Sequence, residues 1–125
     1  MVALFFIGRI IFGGYFIYNA YNHFKNAGHL AGYAGMKGVP APKAGVITSG
    51  VLFLLGGLSI VLGTHMVLGM WLLIIALIPI TFMMHGFWKE KETMARMNER
   101  IGFLKNLALI GALLIMISMA YIYFS

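Results

Sequence analysis

Cysteine is absent from this chain, which excludes disulfides, thiolate metal sites, iron–sulfur clusters and thiol–disulfide exchange within it. Acid is scarce as well. Three carboxylates stand against nine Lys and Arg, and they are Glu90, Glu92 and Glu99. Charged residues make up 10% of the 125 residues and hydrophobic ones 62%, whereas a soluble domain is about a quarter charged. Twelve charged side chains cannot coat a core of this size, and a mean hydropathy of +0.94 makes the bilayer the expected solvent. The net charge of +6 would suggest nucleic acid in a soluble protein. Here the basic residues lie in short connections between apolar runs, which points to membrane topology and anionic lipid, with no nucleic-acid partner. No glycine-rich phosphate loop follows a strand and no carboxylate pair lies within the apolar runs. Hydrolases and nucleotide-driven pumps therefore lack support, and without an inverted repeat a secondary transporter has little.

What the chain does have is long apolar runs. Crossing about 30 Å of hydrocarbon takes roughly 20 helical residues, and residues 2–21, 44–63, 66–85 and 101–123 each supply such a length. The first run is broken only by Arg9 and the pair Gly13 and Gly14. A cleaved leader would carry its basic residues before the apolar stretch, so a retained helix is expected. Residues 22–43 are too polar to cross, with a short interfacial helix expected from Ala27 to Gly35. The run Val39-Pro40-Ala41-Pro42 stops it, because proline lacks a donor and biases its predecessor to extended backbone. Only Thr64 and His65 separate the second and third runs, so these form an antiparallel hairpin. Pro79 is expected to kink the third. In the break from Gly86 to Arg100, Glu92 and Arg96 stand four apart, which suggests an interfacial helix leading into the last span. Tyr121 and Tyr123 fall where an aromatic belt belongs.

The expected fold is therefore an all-α integral membrane protein: one domain over residues 1–125, a four-transmembrane-helix bundle with a short interfacial helix in the first loop. Four crossings place both termini on one side and both basic breaks on the other. Three Lys/Arg lie in the first break and four in the second, against none in the Thr64-His65 turn. The positive-inside rule then makes the basic loops cytoplasmic and puts both termini outside. Small residues four apart, Gly45 with Ser49, Ser59 with Gly63 and Ala108 with Ala112, are candidate packing seats.

Among residues that could carry chemistry, Arg9 is the most informative. It lies about eight rises, or roughly 12 Å, from the start of its helix, and burying a guanidinium costs about 2.5–3.5 kcal/mol on insertion scales. No apolar run offers it a carboxylate. Two uses are open: it reaches outward to lipid phosphate or to the Ser125 carboxylate, or it faces the bundle and holds an anionic or carbonyl-bearing ligand or an acid of another subunit. Helical spacing aligns Arg9, Phe12, Phe16, Asn19 and His23 in one stripe. His85 ends the third run, and Lys105 with Asn106 starts the fourth at the same depth. His85, Lys105, Asn106 and His23 could thus converge on one pocket where a titratable group meets water. His23 and His85 also have the depth for axial haem ligation, but His29 and His65 do not fit that pattern, so haem is not expected, nor is a metal site.

The segment from Tyr33 to Lys43, Ser49-Gly50, Leu55-Gly56-Gly57-Leu58-Ser59, Arg9, His85-Gly86-Phe87-Trp88, and Phe103 to Leu109 together resemble the DoxX family of small four-helix membrane proteins. The resemblance implies a four-helix bundle linked to membrane redox chemistry, because the family takes its name from a thiosulfate:quinone oxidoreductase with a DoxX-like large subunit. Relatives that handle disulfides would need cysteine, which this chain lacks. Arg9, Lys37, His85, Lys105 and Asn106 match the family's polar positions. The resulting expectation is a subunit or accessory component of a membrane oxidoreductase system in a bacterial or archaeal cytoplasmic membrane. It would bind a quinone headgroup through Arg9 or the His85 cluster and carry no covalently bound cofactor. The alternatives are a non-catalytic subunit that assembles with other membrane proteins or with its own copies, and a small lipid or solute carrier.

Overall fold

The computed structural model describes the backbone of residues 1–124 and the side chains of residues 1–122. Ser125, a candidate partner for Arg9, and the Tyr123 side chain, assigned to an aromatic belt, lie outside the described residues. Among the described residues the chain is helical throughout: α1 (Val2–Lys25), α2 (Ala27–Met36), α3 (Pro42–Leu62), α4 (Met66–Met84), a 3₁₀ turn (Phe87–Lys89) and α5 (Thr93–Phe124). α1, α3, α4 and α5 are each long and apolar enough to cross a membrane. The chain is thus an all-α protein with the make-up of an integral membrane protein. It divides into two compact units, Met1–Leu73 and Ile74–Ser125, the boundary falling inside α4.

Helix ends follow local chemistry. Pro42 occupies the first turn of α3, where its missing N–H costs nothing and its fixed φ suits the helix, and Ala41 before it takes a left-handed conformation at φ 46°. α3 ends at Gly63, also left-handed at φ 73°, whose N–H donates to the Ser59 carbonyl at 2.9 Å while that of Thr64 reaches the same oxygen at 3.1 Å. This is the usual glycine-terminated helix end, and it makes the α3–α4 turn as short as the sequence requires. α4 runs through Pro79 without ending. Two residues on, the wholly buried Thr81 donates its hydroxyl to the Leu77 carbonyl at 2.6 Å.

In the first unit α1 buries Gly13, Phe16 and Ala20, and α3 buries Val46, Gly50, Phe53, Gly56, Gly57 and Ile60. These are 3–4 spaced stripes, and lipid gives little hydrophobic drive between helices, so close backbone approach has to supply the attraction. A Cβ on Gly13 would lie 2.7 Å from the Gly57 carbonyl, and one on Gly57 would lie 2.8 Å from the Gly13 carbonyl. Only hydrogen fits between them. Phe16 packs on Phe53 with ring centres 5.5 Å apart, and Gly50 receives the Phe24 ring and the His23 Cβ. After the turn, Gly69 fits against Ser59 and Leu73 lies over Gly56. Of the expected seats, Ser59 is one, packed against Gly69, and Gly63 lies against the Arg9 guanidinium, but Gly45 is not. Gly45 meets only Val39, at 3.9 Å, because it belongs to the first turn of α3, before the stretch that lies on α1.

In the second unit the break at Gly86–Arg100 contains no separate interfacial helix. Its polar end is the first two turns of α5, which at 32 residues extends roughly 48 Å. Glu92 does not serve as the helix-surface partner of Arg96. It caps the helix, accepting the Met94 N–H at 3.0 Å and the Ala95 N–H at 2.8 Å with its two carboxylate oxygens, which satisfies donors that otherwise have no intrahelical acceptor. The buried stripe of α5 is Glu99, Asn106, Ile110, Leu113 and Ile117.

Candidate functional site

The second unit builds its polar site where α4 stops. His85 and Gly86 leave the helix, and the chain reverses through the 3₁₀ turn, held by the Phe87 N–H on the His85 carbonyl at 2.9 Å. Gly86 is enclosed: a Cβ there would approach the Phe82 carbonyl at 3.2 Å and the Trp88 ring at 3.3 Å. Phe82, Phe87, Trp88 and Phe103 form one ring cluster, with centres 5.3–5.6 Å apart in four edge-to-face pairs and 6.4 Å in the tilted Phe82–Trp88 pair, and the Arg100 guanidinium lies 5.2 Å from the Phe87 ring centre. This aromatic wall fixes the direction in which His85 leaves the backbone.

The His85 imidazole lies on α5 at Gly102, where a Cβ would be 2.7 Å from Nδ1. Its Nδ1 is 3.7 Å from a carboxylate oxygen of Glu99, with the two side chains 27% and 11% exposed. Glu99, Gly102 and Asn106 follow one another at spacings of three and four, so they share one face of α5, and Asn106 is buried at 4% exposure. The result is an imidazole against a buried carboxylate with a buried amide two turns farther along α5.

Sequence reasoning missed Glu99, having assigned every glutamate to a loop. The signal was available in the 3–4 spacing of Glu99, Gly102, Asn106 and Ile110, which continues the buried stripe backward past the apolar boundary. Lys105, expected in the cluster, is on the exposed side of α5, because one residue turns a helix by about 100° away from Asn106.

The remaining candidates belong to the first unit and do not form one site. Asn19 donates its amide to the Tyr15 carbonyl at 2.8 Å, and His23 Nδ1–H donates to the Asn19 carbonyl at 2.8 Å, so both are turned onto their own helix. The His23 ring also meets Phe53 edge-on at 5.3 Å. Lys37 places its ammonium 5.3 Å from the Tyr33 ring centre. Arg9 is about 21 Å along α1 from His23 and reaches across to the end of α3. Its Nε–H donates to the Ile60 carbonyl and an Nη2–H to the Val61 carbonyl, both at 3.0 Å. These are last-turn carbonyls that the helix itself leaves without donors, and a low-dielectric setting makes leaving them so costly. Phe5 and Phe6 flank the guanidinium, with ring centres 5.6 and 5.5 Å away. Among the described residues no three His, Asp or Glu side chains come together to hold a metal ion.

Four helices long and apolar enough to cross a membrane, carrying few polar groups, define a small α-helical membrane protein. The sequence profile of the DoxX family matches residues 4–86, more than half of the chain, and the chain belongs to the DoxX family. The match takes in α1 to α4 and His85, and leaves α5, with Glu99 and Asn106, outside it. No curated protein and no solved structure matches the chain.

Proposed function

We propose that this DoxX protein is a component of a membrane oxidoreductase system and that its second unit receives a quinone headgroup beside His85 and Glu99. The observation that carries the reading is an imidazole 3.7 Å from a buried carboxylate at the end of an apolar helix, a place where a buried acid needs a reason. When bound, a quinone supplies reversible two-electron, two-proton chemistry. Its site requires a donor to a carbonyl oxygen, a group that exchanges protons, and flat apolar walls. The residues present fit those needs. His85 is exposed enough to be reached, Glu99 beside it can take or return the proton, Asn106 carries a buried amide on the same face, and the rings of Phe82, Phe87, Trp88 and Phe103 supply the wall.

Titration of the purified protein with decylubiquinone tests this. Saturable binding is expected in the wild type, weakened about tenfold or more in His85→Ala and Glu99→Gln, since a hydrogen bond to a charged group is worth roughly 1.5–3 kcal/mol, and retained in Arg9→Lys. No binding in the wild type, or equal binding in all four, removes the proposal.

A second reading, a non-catalytic subunit that assembles with a larger complex, draws on α1. Of its 24 residues only Gly13, Phe16 and Ala20 are buried, and Ile7, Ile11 and Tyr18 stand exposed. A photo-crosslinker at Ile11 separates the two in whole membranes. One discrete protein adduct supports assembly, and adducts to lipid alone count against it. The Lys/Arg distribution supports cytoplasmic basic loops with the start of α1 outside, and a reporter fused there that reads cytoplasmic would reverse that orientation.

A further inference from the structure

α1 and α3 lie antiparallel, but their ends are not level. Gly13 meets Gly57, Phe24 meets Gly50, and Arg9 reaches Ile60 and Val61. α3 therefore stops opposite Arg9, whereas α1 continues back through residues 8 to 2, roughly 10 Å of helix beyond the α3–α4 turn. That overhang is Val-Ala-Leu-Phe-Phe-Ile-Gly, with Leu4 66% and Ile7 51% exposed. Side chains so apolar require hydrocarbon around them. The turn at Thr64-His65 then lies short of the level of α1's first residues, which leaves a step at this corner of the first unit.

Arg9 stands at the foot of that step. A guanidinium has five N–H donors. The carbonyls of Ile60 and Val61 take two of them, and among the described residues of the first unit no Asp or Glu offers the positive charge a counter-ion. Beside Arg9 an open-sided cavity of about 390 Å³ is lined by Met1, Val2, Phe5 and Phe6. The corner thus offers one cation with donors remaining and an apolar wall above it.

We propose that this step binds one membrane phospholipid, its phosphate on the Arg9 guanidinium and its glycerol and upper acyl carbons along Val2, Phe5 and Phe6. Guanidinium is the side chain best matched to phosphate oxygens, and two acyl chains cover the overhang that a small anion would leave bare. A protein carboxylate would neutralise the charge without covering the apolar wall. The site is independent of the quinone reading, since it lies on the first unit and uses none of the same residues.

Native mass spectrometry of the detergent-solubilised full chain tests it with palmitoyl-oleoyl phosphatidylglycerol as the probe. The wild type should retain one such lipid. The matching diacylglycerol, which lacks phosphate, should not be retained, and millimolar inorganic phosphate should not displace the lipid. Phe5→Glu places a carboxylate four residues before Arg9, the favourable order for an intrahelical pair, and should weaken retention about tenfold or more by competing for the guanidinium. Lys25→Gln with Lys43→Gln, which lowers the charge of the first basic loop, should retain the lipid. If Phe5→Glu proves less heat-stable than the wild type without lipid, Val2→Glu, at a position 85% exposed, carries the same test. Equal retention in the wild type and the glutamate variant, equal retention of diacylglycerol, displacement by inorganic phosphate, or loss in the double lysine variant would each overturn the proposal.

Discussion

Adding a single methyl group at Gly57 tests the contact on which the first unit is built. The new Cβ would stand 2.8 Å from the Gly13 carbonyl oxygen, 2.9 Å from Ile17 Cγ1 and 3.1 Å from the Ile17 backbone nitrogen. Two of those three neighbours are backbone and cannot rotate aside, so α1 must retreat by about half an ångström to restore ordinary contact. Overpacking of this kind costs about 1–3 kcal/mol, while alanine regains up to about 1 kcal/mol over glycine within a helix. The balance is a net loss of up to roughly 2 kcal/mol, with the Arg9 bonds to α3 lengthening as α1 withdraws. Equilibrium unfolding in mixed micelles by titration with dodecyl sulfate, followed by circular dichroism, reads that difference. Gly14→Ala is the matched control on the same helix, because a Cβ at Gly14 meets nothing within 4 Å; it should equal the wild type or exceed it by up to about 1 kcal/mol. The double variant Gly13→Ala with Gly57→Ala should lose less than the sum of the two singles, since once the helices part the second methyl finds room. A Gly57→Ala protein as stable as Gly14→Ala would refute the close-approach reasoning.

Other outcomes follow from individual residues. Arg9→Gln removes the donors to the Ile60 and Val61 carbonyls and should cost about 1.5–3 kcal/mol, seen as faster amide exchange at the α3–α4 turn while the start of α3 stays protected. Glu92 has its pKa lowered from the usual 4.5 by the Ala95 and Met94 N–H groups. A depressed folded value means its capping contribution is complete above the unfolded pKa and is lost as pH falls through the folded one, so the protection of the Met94 and Ala95 amides, taken relative to the intrinsic exchange rate at each pH, should fall in acid, and Glu92→Gln should remove that loss of protection. Ala41 holds φ 46°, a conformation that costs a non-glycine residue about 1–2 kcal/mol. Ala41→Gly should raise stability by about 0.5–1 kcal/mol after the entropy of the freer unfolded chain is subtracted, and a lower melting temperature would count against the assigned backbone.

What the sequence settles alone is what depends on local chemistry. Lipid as solvent follows from having too little charge to face water. The four long helices follow from apolar run length, the helix at Ala27–Met36 from its separation from α3 by Val39-Pro40-Ala41, and the sharp α3–α4 hairpin from Gly63-Thr64-His65 between two runs. The family was legible too, because its motifs are strings of side chains.

The contacts that make the candidate sites were not legible, for reasons that differ by residue. The partners of Arg9 are main-chain carbonyls 51 and 52 residues away, and no residue letter encodes a carbonyl oxygen that a helix end leaves free. Gly13 and Gly14 look alike in sequence, yet only Gly13 faces α3, a distinction set by how the helices cross. Asn19 and His23 read as a ligand stripe, but a water-poor setting favours whichever acceptor is nearest, which is the backbone of their own helix. Glu99 read as loop because it is charged. Its burial depends on α5 continuing unbroken through the polar break, which turns Glu99, Gly102 and Asn106 onto one face and brings His85 against them. Side-chain chemistry chose the solvent and the elements, and tertiary packing chose which polar atoms meet.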